Sequence, residues 1–169
     1  GEMDVRLCCV QKPKEREPDQ AALIFARANE DLFAALSSGR CQVAGATHFL
    51  WARADAKDTL DVLVVDEAAQ MSLGNVVAVA QSAKTLILLG DPQQLDQPTQ
   101  GSHPDGTGVS ALEHVLQGEP TIPEDRGLFL ETTYRLHPEI CRLNSELIYE
   151  GKLTAKEGCE RQTIVSSGP

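Results

Sequence analysis

The stretch Leu60–Gln70, LDVLVVDEAAQ, restricts the folds open to this chain more than any other. Four consecutive apolar residues, Val62 to Val65, end abruptly at two adjacent carboxylates, Asp66 and Glu67. A short unbroken apolar run is the pattern of a strand buried on both faces, as in a parallel sheet. In open α/β sheets, ligands sit just outside the carboxyl ends of such strands. Asp66 and Glu67 are therefore expected at the rim of a site, the first able to hold a hard cation and the second free to take a proton. The competing explanation is a core strand that runs out into a charged turn.

A second copy of the pattern is better evidence for a site than either motif alone. Thr85–Leu89 (TLILL) is again short and apolar, and Gly90-Asp91-Pro92-Gln93-Gln94-Leu95 leaves its carboxyl end. Between the two, Leu73–Lys84 has the length of the crossover helix of a right-handed βαβ unit. Two parallel strands would thus deliver polar side chains to one rim.

Upstream, Val5–Val10 (VRLCCV) reads as a first strand and Gln11–Pro18 as a loop. Asp19–Ser38 reads as a helix, with Leu23, Ala26, Leu32, Phe33 and Leu36 on one face and Gly39 as its stop. Cys41–Ala46 reads as a strand that enters a loop bearing His48, Phe49 and Trp51. Exposed aromatics there would stack on nucleic-acid bases; buried ones would be packing anchors. Downstream, Asp96–Gly108 is a long loop. Its GSHPDGTG segment has phosphate-loop-like glycines but lacks the lysine and the preceding strand such a loop needs. Ser110 and Glu113 have capping-box spacing for a helix that ends near Gly118. Leu128–Glu131 (LFLE) is a third candidate strand. Pro138 suits the first turn of a helix whose apolar face is Ile140, Leu143, Leu147 and Ile148, closed by Gly151. From Ala155 onward the chain is polar, and a poorly ordered tail is expected.

Composition narrows the function classes. The 169 residues suit one α/β unit, and the net charge of −10 argues against clamping a phosphate backbone through bulk positive charge, although a local basic groove stays open. The five cysteines are odd in number and form no C-x-x-C pair, which favours reduced thiols in a cytoplasmic protein over disulfides or zinc. No apolar run approaches membrane-spanning length, so no membrane partner is expected.

The motifs themselves resemble those of superfamily 1 helicases of the nonsense-decay and Okazaki-flap type. Asp66-Glu67-Ala68-Ala69-Gln70 is similar to motif II, with its Walker B carboxylates, and Gly90–Leu95 is similar to motif III. Tyr134-Arg135-Leu136-His137-Pro138 is similar to motif IV. The longer strings GATHFLWAR, DEAAQMSLGNVVAVA, LLGDPQQLDQPTQGSHP and TYRLHPEICRLNSELIYEGKL most resemble the helicase half of bacterial RecB-like nuclease/helicase fusions. The resemblance implies an incomplete RecA-like parallel sheet with flanking helices. Residues 1–130 would be part of a first ATPase domain and 131–169 the start of a second. It implies ATP as substrate and Mg²⁺ as cofactor. Asp66 would hold the metal, Glu67 would be general base for the attacking water, and Gln94 would sense the γ-phosphate. Asp91 and Gln70 would line the nucleotide site, Gln70 coupling it to the next motif. Tyr134 would stack near the adenine, and Arg135 would neutralise the transferring phosphoryl group. His48, Trp51 and Arg53 would face single-stranded DNA or RNA, and His137 reads as a helix-capping or loop residue rather than a catalyst. The implied partners are the remaining helicase domains and a fused RecB-like nuclease.

Two departures from the family pattern stand out. No G-x-x-x-x-G-K-[ST] phosphate loop occurs in these residues, and Thr133 stands where motif IV usually begins with glutamine. The isolated chain is accordingly expected to be inactive. Two alternatives of other classes are a non-catalytic interaction module that has lost its phosphate loop, and a metal-dependent nuclease using Asp66 and Glu67. The second lacks a neighbouring carboxylate–lysine cluster.

Overall fold

The computed structural model describes residues 5–10, 18–94 and 108–163. It is a mixed α/β structure whose strands pair in parallel throughout. The chain runs β1 (Leu7–Val10), β2 (Leu23–Ala26), α1 (Asn29–Ser37), β3 (Val43–Gly45), α2 (His48–Trp51), β4 (Leu60–Val65), α3 (Leu73–Ala80) and β5 (Ala83–Leu88). It continues through α4 (Ala111–Leu116), β6 (Thr132–Thr133), α5 (Pro138–Ile148) and β7 (Thr154–Ala155), with short 3₁₀ turns at Ala54–Ala56, Ala68–Gln70 and Cys159–Arg161. Three sheets result, ordered β2-β1-β3, β4-β5 and β6-β7.

The helix expected over Asp19–Ser38 is present only in its second half. Leu23–Ala26 is instead a strand, in register with β1 from Leu7↔Leu23 to Val10↔Ala26. Four apolar residues satisfy either period, and the open hydrogen-bonding edge of β1 selects the extended form. The helix starts after Ala28, whose N–H donates to Asp31 Oδ2 at 3.1 Å. It stops as expected: Gly39 takes a left-handed φ of 70° and donates to Leu36 O at 3.0 Å.

The β4–α3–β5 unit joins parallel neighbours from Leu60↔Ala83 to Val65↔Leu88. The expectation that β4 is buried on both faces is corrected. Leu63 and Val65 are buried in one core with Ile24, Leu32, Trp51, Val79 and Leu112, but Val62 and Val64 are 46% and 51% exposed. Val64 pairs with Ile87, also exposed, so the two strands share one covered and one open face.

Leu128–Glu131 is not a strand. Pairing begins only at Thr132, opposite Thr154, and Leu128 and Leu130 are exposed. Helix α5 starts with Pro138 at its first position, as read from the sequence. Its buried side is Cys141 and Ser145, however, while Ile140, Leu143, Leu147 and Ile148 are exposed. The returning chain explains this: Leu153 N donates to Ser145 Oγ at 3.0 Å and Leu153 O accepts from Cys141 Sγ at 3.7 Å. After Ala155 the described chain forms a 3₁₀ turn, whose Cys159 is buried, and residues 164–169 of the polar tail lie outside the described residues. The Gln11–Pro18 loop, apart from Pro18, and the GSHPDGTG segment, apart from Gly108, lie outside the described residues, as does Leu95.

Candidate functional site

The carboxyl ends of β4 and β5 form a common rim. Pairing continues past the strands: Leu89 N donates to Val65 O and Ala68 N donates to Leu89 O, both at 2.8 Å. The chain must then leave the sheet within a single residue. Glu67 makes that turn in the left-handed region (φ 53°, ψ 42°), an unusual conformation for a non-glycine residue and one that clusters at functional sites. Its N–H donates to Asp66 Oδ1 at 3.0 Å, which leaves Oδ2 of Asp66 free of that turn. Ala68 and Ala69 are buried while Asp66, Glu67 and Gln70 are exposed, so the small residues anchor the turn and the polar ones face solvent. Gly90 closes the rim. A Cβ on it would lie 3.0 Å from Ala68 N and 3.1 Å from Ala69 N, so a larger residue would press on both backbone nitrogens where the two exits meet.

The turn after β5 is organised by Asp91. Its Oδ1 accepts from Gln93 N at 3.0 Å and its Oδ2 from Gln94 Nε2 at 3.2 Å. The same Oδ2 accepts from Tyr149 Oη at 2.6 Å, across 58 residues of sequence. The phenol of Tyr149 is pushed up from its ordinary 10 to about 12, first by burial and then by its hydrogen bond to the anionic Asp91. Asp91, expected to line a nucleotide site, thus has both oxygens engaged by protein donors. Gln94 is exposed and keeps its Oε1 and one amide hydrogen clear of Asp91.

Tyr134 and Arg135 lie between β6 and α5. Tyr134 is 73% exposed, with Lys156 Nζ 5.9 Å from its ring centroid. Arg135 is exposed and donates its backbone N–H to Thr133 Oγ1 at 3.2 Å. Among the described residues no ion pair joins it to Asp66 or Glu67. His137 does cap α5, its Nδ1 accepting from Glu139 N at 3.2 Å.

The aromatic segment is a short helix rather than a loop. Trp51 is 5% exposed and stands edge-on to Phe33 at 6.2 Å, so its ring offers no face for a base, and the stacking expected of it is corrected to packing. His48 is half-buried with its ring 4.0 Å from that of the exposed Phe49. Arg53 directs its guanidinium to Asp55 at 2.7 and 2.8 Å and to Glu30 at 3.5 Å, so its charge is matched locally. Tyr149 is the site residue that sequence reasoning missed. The available signal was a phenol at the end of a helix, where a polar tip needs a partner once its ring is covered.

Among the described residues no group of three or more His, Cys, Asp and Glu gathers as a metal site. A single exposed carboxylate such as Asp66 fits a cation that keeps most of its waters and takes its other ligands from phosphate, as Mg²⁺ does.

With this geometry in place, sequence comparison is decisive: the profile of the viral superfamily 1 RNA helicase core domain matches residues 38–163. The chain belongs to the superfamily 1 helicases. The matched span contains the whole rim, α5 and Tyr149, but neither β1 nor β2. Among curated relatives, the 5'-3' DNA helicase ZGRF1 of Mus musculus is 36% identical over 94 residues, 54% of this chain and 5% of that protein. The DNA-binding protein SMUBP-2 of Rattus norvegicus is 33% identical over 146 residues, 84% of this chain and 14% of that protein. The DNA replication ATP-dependent helicase/nuclease DNA2 of Gallus gallus is 32% identical over 95 residues, 55% and 9% respectively. The chain therefore spans a small part of the length of these relatives. Among the described residues no helix is long and apolar enough to cross a membrane.

Proposed function

We propose that this chain supplies the catalytic rim of an ATP-dependent superfamily 1 helicase, within a RecA-like domain over residues 1–130 and the start of a second over 131–169. The observation that supports the reading most is the close approach of the two parallel-strand exits that carry Asp66-Glu67 and Gly90-Asp91. In this reading Asp66 would hold Mg²⁺, which would supply positive charge to the phosphates of ATP. Glu67 accepts the proton of the attacking water, a contribution of about 10²–10⁴ in rate. Gln94 contacts the γ-phosphate through its free amide groups, and Gln70 couples the site to the neighbouring motif. Tyr134 stacks near the adenine. Arg135 approaches from the second domain to neutralise the transferring group, an effect worth about 10³–10⁵ in related phosphoryl transfer.

The whole protein would couple hydrolysis to movement along single-stranded nucleic acid, aided by further helicase domains and a fused RecB-like nuclease. The names of the three relatives above point to DNA and the description of the matching family to RNA, so single strands of both kinds are the substrates to test. Its phosphate loop would come from outside these residues, since no G-x-x-x-x-G-K-[ST] occurs within them. The test compares ATP turnover by the 169-residue chain and by the full-length protein, with and without single-stranded DNA or RNA. The chain should show negligible turnover; the full-length protein should be stimulated by at least one of the two and silenced by Glu67→Gln. Full-length turnover indifferent to Glu67→Gln would refute the assignment of the rim.

A further inference from the structure

The Asp91 carboxylate joins parts of the molecule that are otherwise far apart in sequence. Its Oδ2 receives both the Tyr149 hydroxyl, at 2.6 Å, and the Gln94 side-chain amide, at 3.2 Å. Its Oδ1 fixes the backbone of the same turn through Gln93 N. Tyr149 is itself held: it follows the last turn of α5, donates its N–H to Ser145 O at 3.1 Å, and tilts its ring against Phe129 at 6.1 Å. A short hydroxyl–carboxylate bond of this kind is charge-assisted and among the stronger hydrogen bonds proteins make. Gln93 adds a weaker tie, Nε2 to Pro120 O at 3.4 Å.

We infer that Tyr149 is a positioning residue: through Asp91 it sets the orientation of the Gln94 amide at the rim and ties that amide to the end of α5. With one amide hydrogen held by Asp91, the other hydrogen and Oε1 point away from the turn in a defined direction. A shift of α5 relative to the sheet would be transmitted to Gln94 through one carboxylate. The consequence for nucleotide contact rests on the function proposed above, whereas the clamp itself does not.

The first test uses the ¹⁵N-labelled 169-residue chain. Tyr149→Phe and Asp91→Asn should each move the Gln93 backbone amide and the Gln94 side-chain NH₂ signals, and the double variant should move them no further than the larger single change. Tyr149→Phe that disturbs only signals around Phe129 and Ser145, leaving Gln93 and Gln94 in place, would overturn the inference. A second measurement reads the Tyr149 hydroxyl directly, in chains whose circular dichroism shows them folded across the titration. In Tyr134→Phe, Tyr149 is the one tyrosine left of two, and its ultraviolet titration should have a midpoint at about 12, falling toward 10 when Asp91→Asn is added. A midpoint near 10 in both would also overturn it. In the full-length protein, Tyr149→Phe should lower kcat about tenfold with KM little changed, the scale of one lost hydrogen bond to a charged group. Unchanged kcat in an enzyme still silenced by Glu67→Gln would refute the positioning role while leaving the proposed function standing. The reverse pattern, moved amide signals with turnover indifferent to Glu67→Gln, would refute that function and leave the clamp.

Discussion

Adding one methyl group at Gly90 tests whether the two strand exits really meet. The Cβ of Gly90→Ala would lie 3.0 Å from Ala68 N, 3.1 Å from Ala69 N and 3.4 Å from Leu112 Cδ2. The leucine methyl can yield, but the two nitrogens belong to a turn whose Ala68 is fully buried and bonded to Leu89 O. Overpacking of this sort costs about 1–3 kcal/mol. Against it stands a gain of about 0.4–1 kcal/mol, because alanine restricts the unfolded chain more than glycine does. The steric term wins, for a net loss of about 1–2 kcal/mol. Gly74→Ala is the matched control: nothing lies within 4 Å of its Cβ position, and it sits in the first turn of α3. There the same methyl should stabilise by about 0.5 kcal/mol. Urea unfolding followed by fluorescence of Trp51, the single tryptophan, reads both. Gly90→Ala equal to or more stable than wild type, at an unchanged m-value, would refute the close approach and the shared rim built on it.

Other consequences are simpler to check. Trp51→Ala should lose about 3–5 kcal/mol by circular-dichroism-monitored urea unfolding, because a fully packed ring leaves a cavity. Ser110→Ala removes the acceptor of Glu113 N at 3.1 Å and should cost about 1 kcal/mol in the same assay. Stability should fall as pH rises above 9. Burial and the neighbouring Cys41 raise the Cys8 thiol from 9.0 to about 11, and Tyr149 rises from 10 to about 12, so the folded state keeps protons that the unfolded state releases. The loss should be complete once pH passes about 12, and a flat alkaline profile of unfolding midpoints would contradict it. Of the five thiols only Cys9 is not buried, so a thiol reagent should label at most that one rapidly in the native chain and all five in denaturant.

What was legible in the sequence is the part governed by local chemistry. An apolar run that ends in Asp66-Glu67, a second that ends in Gly90-Asp91, and Gly39, Pro138 and His137 at helix ends are each dictated within a few residues. What was not legible depends on which edge or face a distant segment supplies. Leu23–Ala26 suits a helix by spacing, and only the free edge of β1 makes it a strand. The apolar stripe of α5 predicted the wrong buried side, because Leu153 returns against Cys141 and Ser145 instead. Trp51 read as a loop residue since nothing local shows that Phe33 covers it.

The same distinction explains why the rim is robust and its link to α5 is delicate. Asp66 and Glu67 are set by register, a buried alanine pair and one left-handed residue, all within a single βαβ unit. Two groups of polar side chains tie the turn after β5 and the loop after α4 to the residues that follow α5. One is the tie of Thr121 to Glu150 and Lys152, in which Lys152 Nζ lies 2.7 Å from Thr121 Oγ1 and 2.8 Å from Glu150 Oε2. Both charged ends are about half exposed, so salt and solvent screen the attraction and little orientation can rest on it. The other is Tyr149 on Asp91, part-buried and short. Raising salt should therefore weaken the first tie and spare the second, and the Gln93 and Gln94 signals should hold steady across a salt titration that moves Lys152. Movement of all of them together would mean that the two ties act as one.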